Sequence, residues 1–498
     1  MSASTGAIDA AGAFLRALSA ATQSYGLYPS GHPDRRSHAA GLAVAADGLR
    51  SASTAVPVLL RSRHRFYLGR TMLAWESLTL HRLSTAFERA EIGSFELPRT
   101  VGELQLDALV RLLIGEDTRE EELAPLAIDD SGGPGGGADV EPTDMSELLG
   151  TYALGLEFLR ETASRLLTGR PGDMDETRRV AERFADHVAN DPAQALLLTT
   201  VKSHDEYTYH HMINVCVLSL ALGQAIGLAR EQVIDRGIGA LLHDVGKVKV
   251  PRQILQQAGP LDEEQWRIVQ HHPVDGTGLI LQTSRDLYHP AATIVLEHHA
   301  AYDASGYPTL RGRRQPSLPS RIVAVADCFD AVTSVRPYRQ PEERRQALAL
   351  LQAGAGKGFD PRVVRAFVRM MGLYPIGTLV ELSTGEVGVV TRNHERLLAH
   401  PTLRMILDAA GDPCEPFDRD LSERTDLDDY RWTVRRTLDA RDLGVDMLSL
   451  LAAGELETIG TSRETGPGLV HEPAPGEVAP PGYVSPASEG HSTPSHGS

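Results

Sequence analysis

Five short segments rich in histidine and aspartate constrain the fold of this chain more than any other feature. They lie within a region of helical periodicity, and they are Tyr207–Val215, Leu241–Lys247, Gln270–Gly276, Leu296–Pro308 and Ala326–Ala331. A buried imidazole or carboxylate needs a hydrogen-bond partner, a counter-charge or a metal ion. Helical bundles build dinuclear metal sites from such side chains on separate helices. We therefore expect a mainly α-helical domain in which the five segments converge.

Each segment taken alone also has an ordinary structural explanation. His211, near the start of a helix, suits a hydrogen-bonding role, and pairs such as His271 and His272 are common on surfaces. Asp327 and Asp330 are three residues apart and share a helix face, where they could cap the helix or meet solvent. The apolar residues around Asp327 favour burial, and burial calls for a counter-charge.

Two adjacent pairs point more directly to a metal. His243 and Asp244 follow an apolar run at the end of a helix, where an unpaired aspartate is costly. An imidazole beside a carboxylate also suits a divalent transition metal. His298 and His299 would point apart on a regular helix, so they suit a helix end, where both can face one metal cluster.

The order of these motifs resembles that of the HD-GYP subfamily of HD-domain phosphohydrolases. The resemblance runs from about Tyr207 to Phe367. The matching residues are His211, His243-Asp244-Val245-Gly246-Lys247, His272-Pro273, His298-His299, Gly306-Tyr307-Pro308, Asp327, Asp330-Ala331, Arg336-Pro337-Tyr338-Arg339 and Gly358-Phe359-Asp360-Pro361.

The resemblance implies an all-helical HD-type catalytic domain with a metal centre. The implied ligands are His211, His243, Asp244, His272, His298, His299 and Asp327, with Asp244 as the bridge. The implied cofactors are two divalent metal ions, iron or manganese first, with Mg, Ni or Zn as alternatives. The implied substrate is cyclic di-GMP, cleaved to linear pGpG with GMP as a further product.

Residues beside these ligands are candidates for contact with the substrate. Lys247 lies three residues past Asp244, and we assign the two a catalytic role, with Lys247 also pairing with a phosphate oxygen. Arg336 and Arg339 suit bidentate phosphate contact, although surface solvation alone would also explain them. Tyr307 either orders its loop or touches a guanine.

The sequence departs from the family pattern at two positions, and it lacks a glutamate that only some members have. The family usually has an acidic residue where Ala300 stands and a loop glycine where Ala304 stands. Loss of the carboxylate could alter ligand orientation, and loss of the glycine matters only if that position needs a positive φ. Some members add a glutamate at the position of Tyr207, so we expect two metal ions rather than three.

Composition narrows the class of partner. The net charge of −17 argues against binding of nucleic acid or an anionic membrane, because such binding needs clustered Lys and Arg. An anionic small substrate would instead need local positive charge. A run of arginines supplies it: Arg311, Arg313, Arg314, Arg321, Arg336 and Arg339.

Composition also bears on location. The three cysteines are dispersed, which indicates a reducing compartment. We find no signal peptide and no apolar run long enough to span a membrane, so we expect a cytoplasmic protein.

Shifts in composition divide the chain into six parts. Residues 1–124 form a mixed α/β module with a possible sensory or dimerisation role, and residues 125–144 form a Gly/Pro-rich acidic linker. Residues 145–206 form a helical lead-in and residues 207–375 the catalytic domain. We expect a β-rich appendage over residues 376–456 and a disordered tail over residues 457–498.

Two other functions stay open at this point. The chain could be a catalytically weak signalling module that binds metal and ligand and acts through protein partners such as a diguanylate cyclase. It could also be an HD phosphohydrolase for another nucleotide. The long helical stretch before Tyr207 could pack against a second chain, so we expect a homodimer.

Overall fold

The computed structural model describes residues 5–62, 65–69, 71–129, 144–200, 207–255, 257, 259–283, 290–334, 342–394, 396–425 and 428–438. It divides the chain into two compact units, the first ending at Glu157 and the second beginning at Phe158. The fold is mainly α-helical, with one small sheet in each unit, which confirms the predicted fold class. No helix among the described residues has both the length and the apolarity needed to cross a membrane.

The first unit surrounds a four-stranded antiparallel sheet with the strand order β3-β2-β1-β4. Its elements are α1 (Thr5–Leu27), α2 (Pro33–Ala52), β1 (Val58–Ser62), β2 (Arg65–Leu68), β3 (Thr71–Met72), α3 (Ala74–Thr79), α4 (His81–Arg89), β4 (Ser94–Glu96), α5 (Glu103–Ile114), α6 (Glu120–Leu123) and a 3₁₀ turn (Ala124–Leu126). The buried rings of Phe14 and Phe87 both contact that of Phe95 and join α1 and α4 to β4. The unit contains both helices and a sheet, and the predicted module boundary at residue 124 and its sensory or dimerisation role stay predictions.

The second unit contains the helices that carry the five histidine- and aspartate-rich segments. After α7 (Asp144–Leu167), which runs across the division, the helices are α8 (Met174–Asn190), α9 (Pro192–Leu198), α10 (Tyr207–Ala225), α11 (Arg230–Leu242), α12 (Arg252–Leu255), α13 (Glu263–Gln270), α14 (His272–Thr283), α15 (Pro290–Glu297), α16 (Leu318–Thr333), α17 (Arg344–Ala353) and α18 (Pro361–Met371), with 3₁₀ turns at Val245–Lys249 and Arg311–Arg313.

Local sequence signals set where several of these helices begin. Asp262, Ser317 and Asp360 are N-cap residues whose side chains accept hydrogen bonds from the first turn of α13, α16 and α18. Pro319 and Pro361 occupy the first turns of α16 and α18, where a missing N–H costs nothing. The ends of α11 and α15 then deliver His243 and His298 directly after their last helical residues.

The second unit ends in a five-stranded antiparallel sheet with the strand order β8-β7-β6-β5-β9. The strands are β5 (Leu379–Leu382), β6 (Val387–Arg392), β7 (Thr402–Leu407), β8 (Pro413–Asp420) and β9 (Val434–Leu438). β5 and β6 pair as an antiparallel hairpin, and β7 pairs with β6. The sequence analysis missed β8, whose prolines suit the edge position that it occupies.

The predicted linker lies mostly outside the described residues, and the predicted tail lies wholly outside them. Residues 130–143, within the predicted linker, lie outside the described residues, as does the predicted tail from residue 457.

A close backbone contact at Gly246 holds the Val245–Lys249 turn against the start of α14. A Cβ at this position would overlap the carbonyl oxygen of His272 and lie 2.6 Å from the backbone nitrogen of Gly276. Gly276 in turn would place its own Cβ 3.1 Å from the nitrogen of Gly246. The two glycines therefore let the His243-Asp244 segment approach the helix that begins at His272.

This contact predicts a large difference between two glycine substitutions. Gly246→Ala should lower the free energy of unfolding by about 3 kcal/mol, because backbone atoms cannot give way to the added methyl group. Gly278→Ala, in the same helix α14 but with no atom within 4 Å of its Cβ, should raise it by up to about 1 kcal/mol. Urea titration followed by far-ultraviolet circular dichroism measures both. A Gly246→Ala variant as stable as the parent would contradict the close contact.

Candidate metal centre

The seven predicted ligands lie close together in the second unit, in two groups. The His211 group consists of His211, His243 and Asp327, and the His272 group consists of Asp244, His272, His298 and His299. Within each group, one nitrogen or oxygen atom from every residue lies within 4.8 Å of the others. All seven side chains are buried or nearly so, the most exposed being His299 at 22%. The segments thus converge as the sequence predicts, and the assignment of these residues as ligands stays a prediction.

The Asp244 carboxylate stands between the two groups. Its Oδ1 lies 3.2 Å from His272 Nε2 and 4.0 Å from His298 Nε2. Its Oδ2 faces the other way, 3.5 Å from His243 Nε2 and 3.9 Å from His211 Nε2. One oxygen per group is the arrangement that a bridging carboxylate requires.

Three of the imidazoles are fixed in the same way, by a backbone carbonyl of the helix that precedes them. Nδ1 of His243, His272 and His298 lies 2.7, 2.7 and 2.8 Å from the carbonyl oxygen three residues earlier. A carbonyl oxygen only accepts hydrogen bonds, so Nδ1 carries the proton in each ring. In the neutral form of each ring, Nε2 is therefore the unprotonated acceptor, and it points into the cluster.

These acceptors face one another without donors between them. Nε2 of His272 lies 3.1 Å from Nε2 of His298, and with both Nδ1 atoms protonated no hydrogen bond can join the pair. Nε2 of His243 and Oδ1 of Asp244 are buried without a hydrogen-bond partner. Opposed lone pairs in a buried site are costly unless a cation lies among them. The residues present therefore fit bound metal cations, and imidazole with carboxylate suits divalent transition metals.

His211 is held by a carboxylate on each side. Its Nε2 lies 3.1 Å from Asp327 Oδ1, and its Nδ1 lies 2.8 Å from Asp330 Oδ2. Burial lowers the pKa of His211, but the hydrogen bonds to the two aspartates outweigh it and raise that pKa to about 9. Asp330 is itself fixed by Asn214 at 3.0 Å and Ser334 at 3.2 Å. Asp330 thus orients His211 from behind, an arrangement common around metal-binding histidines.

The charges of the other members are also set by the cluster. Burial opposes ionisation of Asp244, but the neighbouring groups, the ammonium group of Lys247 first among them, hold the pKa of that carboxyl well below its usual range. Burial, with a further contribution from His272, lowers the pKa of His299 to about 3. Asp244 is therefore charged and His299 neutral at neutral pH, which are the forms that bind a metal ion.

The predicted substrate-contacting residues fall into three situations. Lys247 donates to Asp244 Oδ2 at 2.6 Å, so its ammonium group lies directly beside the central carboxylate. The ring of Tyr307 lies 4.7 Å from that of His299. Arg336 and Arg339 lie outside the described residues.

The predicted basic run is partly neutralised by ion pairs. Arg314 pairs with Glu297, and Arg321 pairs with Asp360 at 3.0 Å. Both carboxylates are fully buried, so these two arginines support the fold rather than offer free positive charge to a substrate. The sequence could not show this, because each pair joins residues well separated along the chain.

Glu297 is a structural link that the sequence analysis did not identify. Its carboxylate is fully buried and accepts hydrogen bonds from Ser317 N at 2.7 Å and Ser320 Oγ at 2.9 Å. Glu297 ends α15, directly before His298, and both serines lie at the start of α16, which carries Asp327. The available signal was a glutamate within an apolar run, where a charge needs a partner.

The loop after His299 is fastened to the α17–α18 connection. The N–H of Tyr302 donates to Gly358 O at 3.0 Å, and that of Asp303 donates to Lys357 O at 2.9 Å. Gly306 has a φ of 82°, and a Cβ there would overlap the carbonyl oxygen of His299. Ala304 has a φ of 68°, so the position where the family usually has glycine does need a positive φ.

The comparisons with known proteins agree with this site. The family model described as HD domain matches residues 184–363. The chain is 36% identical over 241 residues to a cyclic di-GMP phosphodiesterase of Pseudomonas aeruginosa, covering 48% of this chain and 58% of that protein. It is 41% identical over 149 residues to the cyclic di-GMP phosphodiesterase response regulator RpfG of Xanthomonas campestris, covering 30% of this chain and 39% of that protein.

A third relative is named for a different substrate. The chain is 35% identical over 169 residues to a 3′3′-cGAMP-specific phosphodiesterase of Vibrio cholerae, covering 34% of this chain and 32% of that protein. The chain thus spans between 32% and 58% of the length of these three relatives.

Together with the helical fold and its paired histidine–aspartate groups, these matches define the central region as an HD domain. Within that class it belongs to the HD-GYP type, as the order of its motifs indicates. The matched region begins within α8, which packs on α10 and α11. His211 lies in α10, and His243 follows the last residue of α11.

The strained position in the loop gives a prediction about stability. Ala304→Gly should raise the free energy of unfolding by about 0.5 to 1 kcal/mol, because the relief of the left-handed conformation exceeds the added freedom of the unfolded chain. Ala301→Gly, whose φ is not positive, should lower it by a similar amount. Denaturant titration of both variants tests this, and a destabilised Ala304→Gly variant would refute it.

Proposed function

We propose that this chain is a metal-dependent phosphodiesterase that hydrolyses cyclic di-GMP to linear pGpG, with GMP as a further product. The observation that carries the proposal is the buried cluster of unprotonated imidazole nitrogens around the Asp244 carboxylate. The names of the relatives from Pseudomonas and Xanthomonas support cyclic di-GMP as the substrate. The name of the Vibrio relative supports 3′3′-cGAMP as the second candidate.

The geometry of the cluster supports two metal positions. His211, His243 and Asp327 would hold one ion, and His272, His298 and His299 the other, with one oxygen of Asp244 towards each. Iron or manganese suits this mixed imidazole and carboxylate set, with Mg, Ni or Zn as alternatives. When bound, a divalent pair supplies Lewis acidity towards water and towards the phosphoryl oxygens.

The residues of the chain would serve the reaction by position and charge. In the reaction, water oxygen adds to phosphorus and the bond from phosphorus to the 3′ oxygen breaks, which leaves a 5′ phosphate and a 3′ hydroxyl. Lys247, 26% exposed beside Asp244, can pair with a phosphoryl oxygen and offset its charge. The burial of the cluster limits access of bulk water and strengthens these electrostatic contacts.

Location and partners remain predictions from the sequence. We expect the protein to act in the cytoplasm as a homodimer, with a diguanylate cyclase or another signalling protein as partner.

A pair of neighbouring histidines tests the metal site. His272 is buried in the cluster, whereas His271 is 63% exposed and pairs with Asp275. His272→Ala should lose bound metal and lower the rate of cyclic di-GMP hydrolysis at least about 100-fold, because a ligand and its charge balance are removed. His271→Ala should retain both metal and rate. Elemental analysis by mass spectrometry and chromatography of the nucleotide products measure the two effects.

The same assay decides between the candidate functions. Hydrolysis of 3′3′-cGAMP in preference to cyclic di-GMP would replace the substrate that we propose. Bound metal without hydrolysis of either nucleotide would contradict the enzyme and favour a signalling module.

A pair of neighbouring lysines tests the contact with phosphate. Lys247→Met should lower kcat/KM for cyclic di-GMP by about 10- to 100-fold with the metal content unchanged, since the lost ammonium group meets substrate rather than metal. Lys249→Met removes an equal charge that pairs with the exposed side of Asp275, and it should change neither quantity. Steady-state kinetics with metal analysis of each variant provides the measurement. Equal kinetics for Lys247→Met and the parent would exclude this contact.

A further inference from the structure

A tryptophan lies one ring away from the candidate metal centre. Trp266 belongs to α13, the helix that ends just before His272, and no residue of α13 is fully buried. The Trp266 ring meets that of Tyr307 edge to face, with 5.8 Å between centroids and 85° between planes. Tyr307 in turn lies 4.7 Å from His299 and 6.4 Å from His272. The rings therefore form a line from a partly exposed tryptophan to the His272 group.

Core packing does not explain this placement well. A tryptophan contributes most to stability when it is fully buried, yet Trp266 is only partly buried and lies on a helix without fully buried residues. A partly exposed aromatic ring beside a site for phosphate is instead what proteins use to stack nucleic acid bases. In a nucleotide whose phosphate contacts the His272 group, the base lies about one ring's width away from the phosphate. Trp266 is separated from the His272 group by about that distance, with the Tyr307 ring between them.

We propose that Trp266, with Tyr307 beside it, forms a stacking platform for a purine base of the substrate. The proposal rests on the proposed function, because it assumes a nucleotide whose phosphate reaches the metal centre. Stacking uses the π-face that every base has. The platform therefore provides affinity for guanine and adenine alike, and it does not by itself select cyclic di-GMP over 3′3′-cGAMP.

The test compares a ligand with a base and a ligand without one. GMP and inorganic phosphate serve as probes, titrated by calorimetry into the full chain loaded with Mn²⁺. Trp266→Ala should weaken GMP binding by about 5- to 150-fold, the equivalent of one lost stacking contact, and leave phosphate binding unchanged. Trp266→Phe keeps an aromatic face and should retain most of the GMP affinity.

Trp432 provides the matched control. It lies beside the C-terminal sheet, where the guanidinium group of Arg419 stacks over its ring at 4.7 Å. Trp432→Ala removes a ring of the same kind and should leave the affinities for GMP and phosphate unchanged.

The outcomes separate this proposal from the proposed function. Undiminished GMP binding by Trp266→Ala overturns the platform, and so does an equal loss of GMP and phosphate binding, which would show a structural role. If GMP binding depends on Trp266 while the metal-loaded parent hydrolyses no cyclic dinucleotide, the platform stands and the proposed function fails.

Discussion

The Asp244 carboxylate and the acceptor atoms around it are the constraint on which the rest of the site depends. Oδ1 and Oδ2 of this residue face two separate groups of imidazoles, and the protons of three of those rings are held on the far side by backbone carbonyls. A folded chain that buries so many lone pairs against one another is stable only if positive charge lies among them. The cluster is therefore built for cations.

Helix termini bring these side chains together. His243 and His298 follow the last residues of α11 and α15, and His272 begins α14. Each of the three rings reaches back to the carbonyl three residues earlier, which fixes its orientation without a separate partner. Gly246 allows the backbone that follows α11 to contact the backbone at the start of α14. Hydrogen bonds from Glu297 join the end of α15 to the start of α16.

The sequence predicted the candidate ligands of the site better than the residues that hold those ligands in place. Histidines and aspartates in five helical segments indicated that these segments converge, and the resemblance to the HD-GYP subfamily supplied the set of seven candidate ligands. The partners of Glu297 and Arg321 follow only from the folded chain, since they are 17 or more residues away. The positive φ of Ala304 could not be predicted either, because an alanine gives no sign of a conformation that usually requires glycine.

The edge strand β8 could not be predicted from the sequence for a related reason. An alternation of apolar and polar residues indicates a strand, but β8 begins with a proline and carries charged residues at the sheet edge. Edge strands tolerate such residues because one side has no hydrogen-bonded neighbour. Tertiary position, rather than local preference, determines this strand.

The most direct test of the central claim is the anomalous scattering from crystals of the full chain grown with Mn²⁺. The account predicts two peaks on opposite sides of the Asp244 carboxylate, one among His211, His243 and Asp327 and the other among His272, His298 and His299. A map without peaks in this cluster, or with Asp244 in contact with neither ion, would contradict it.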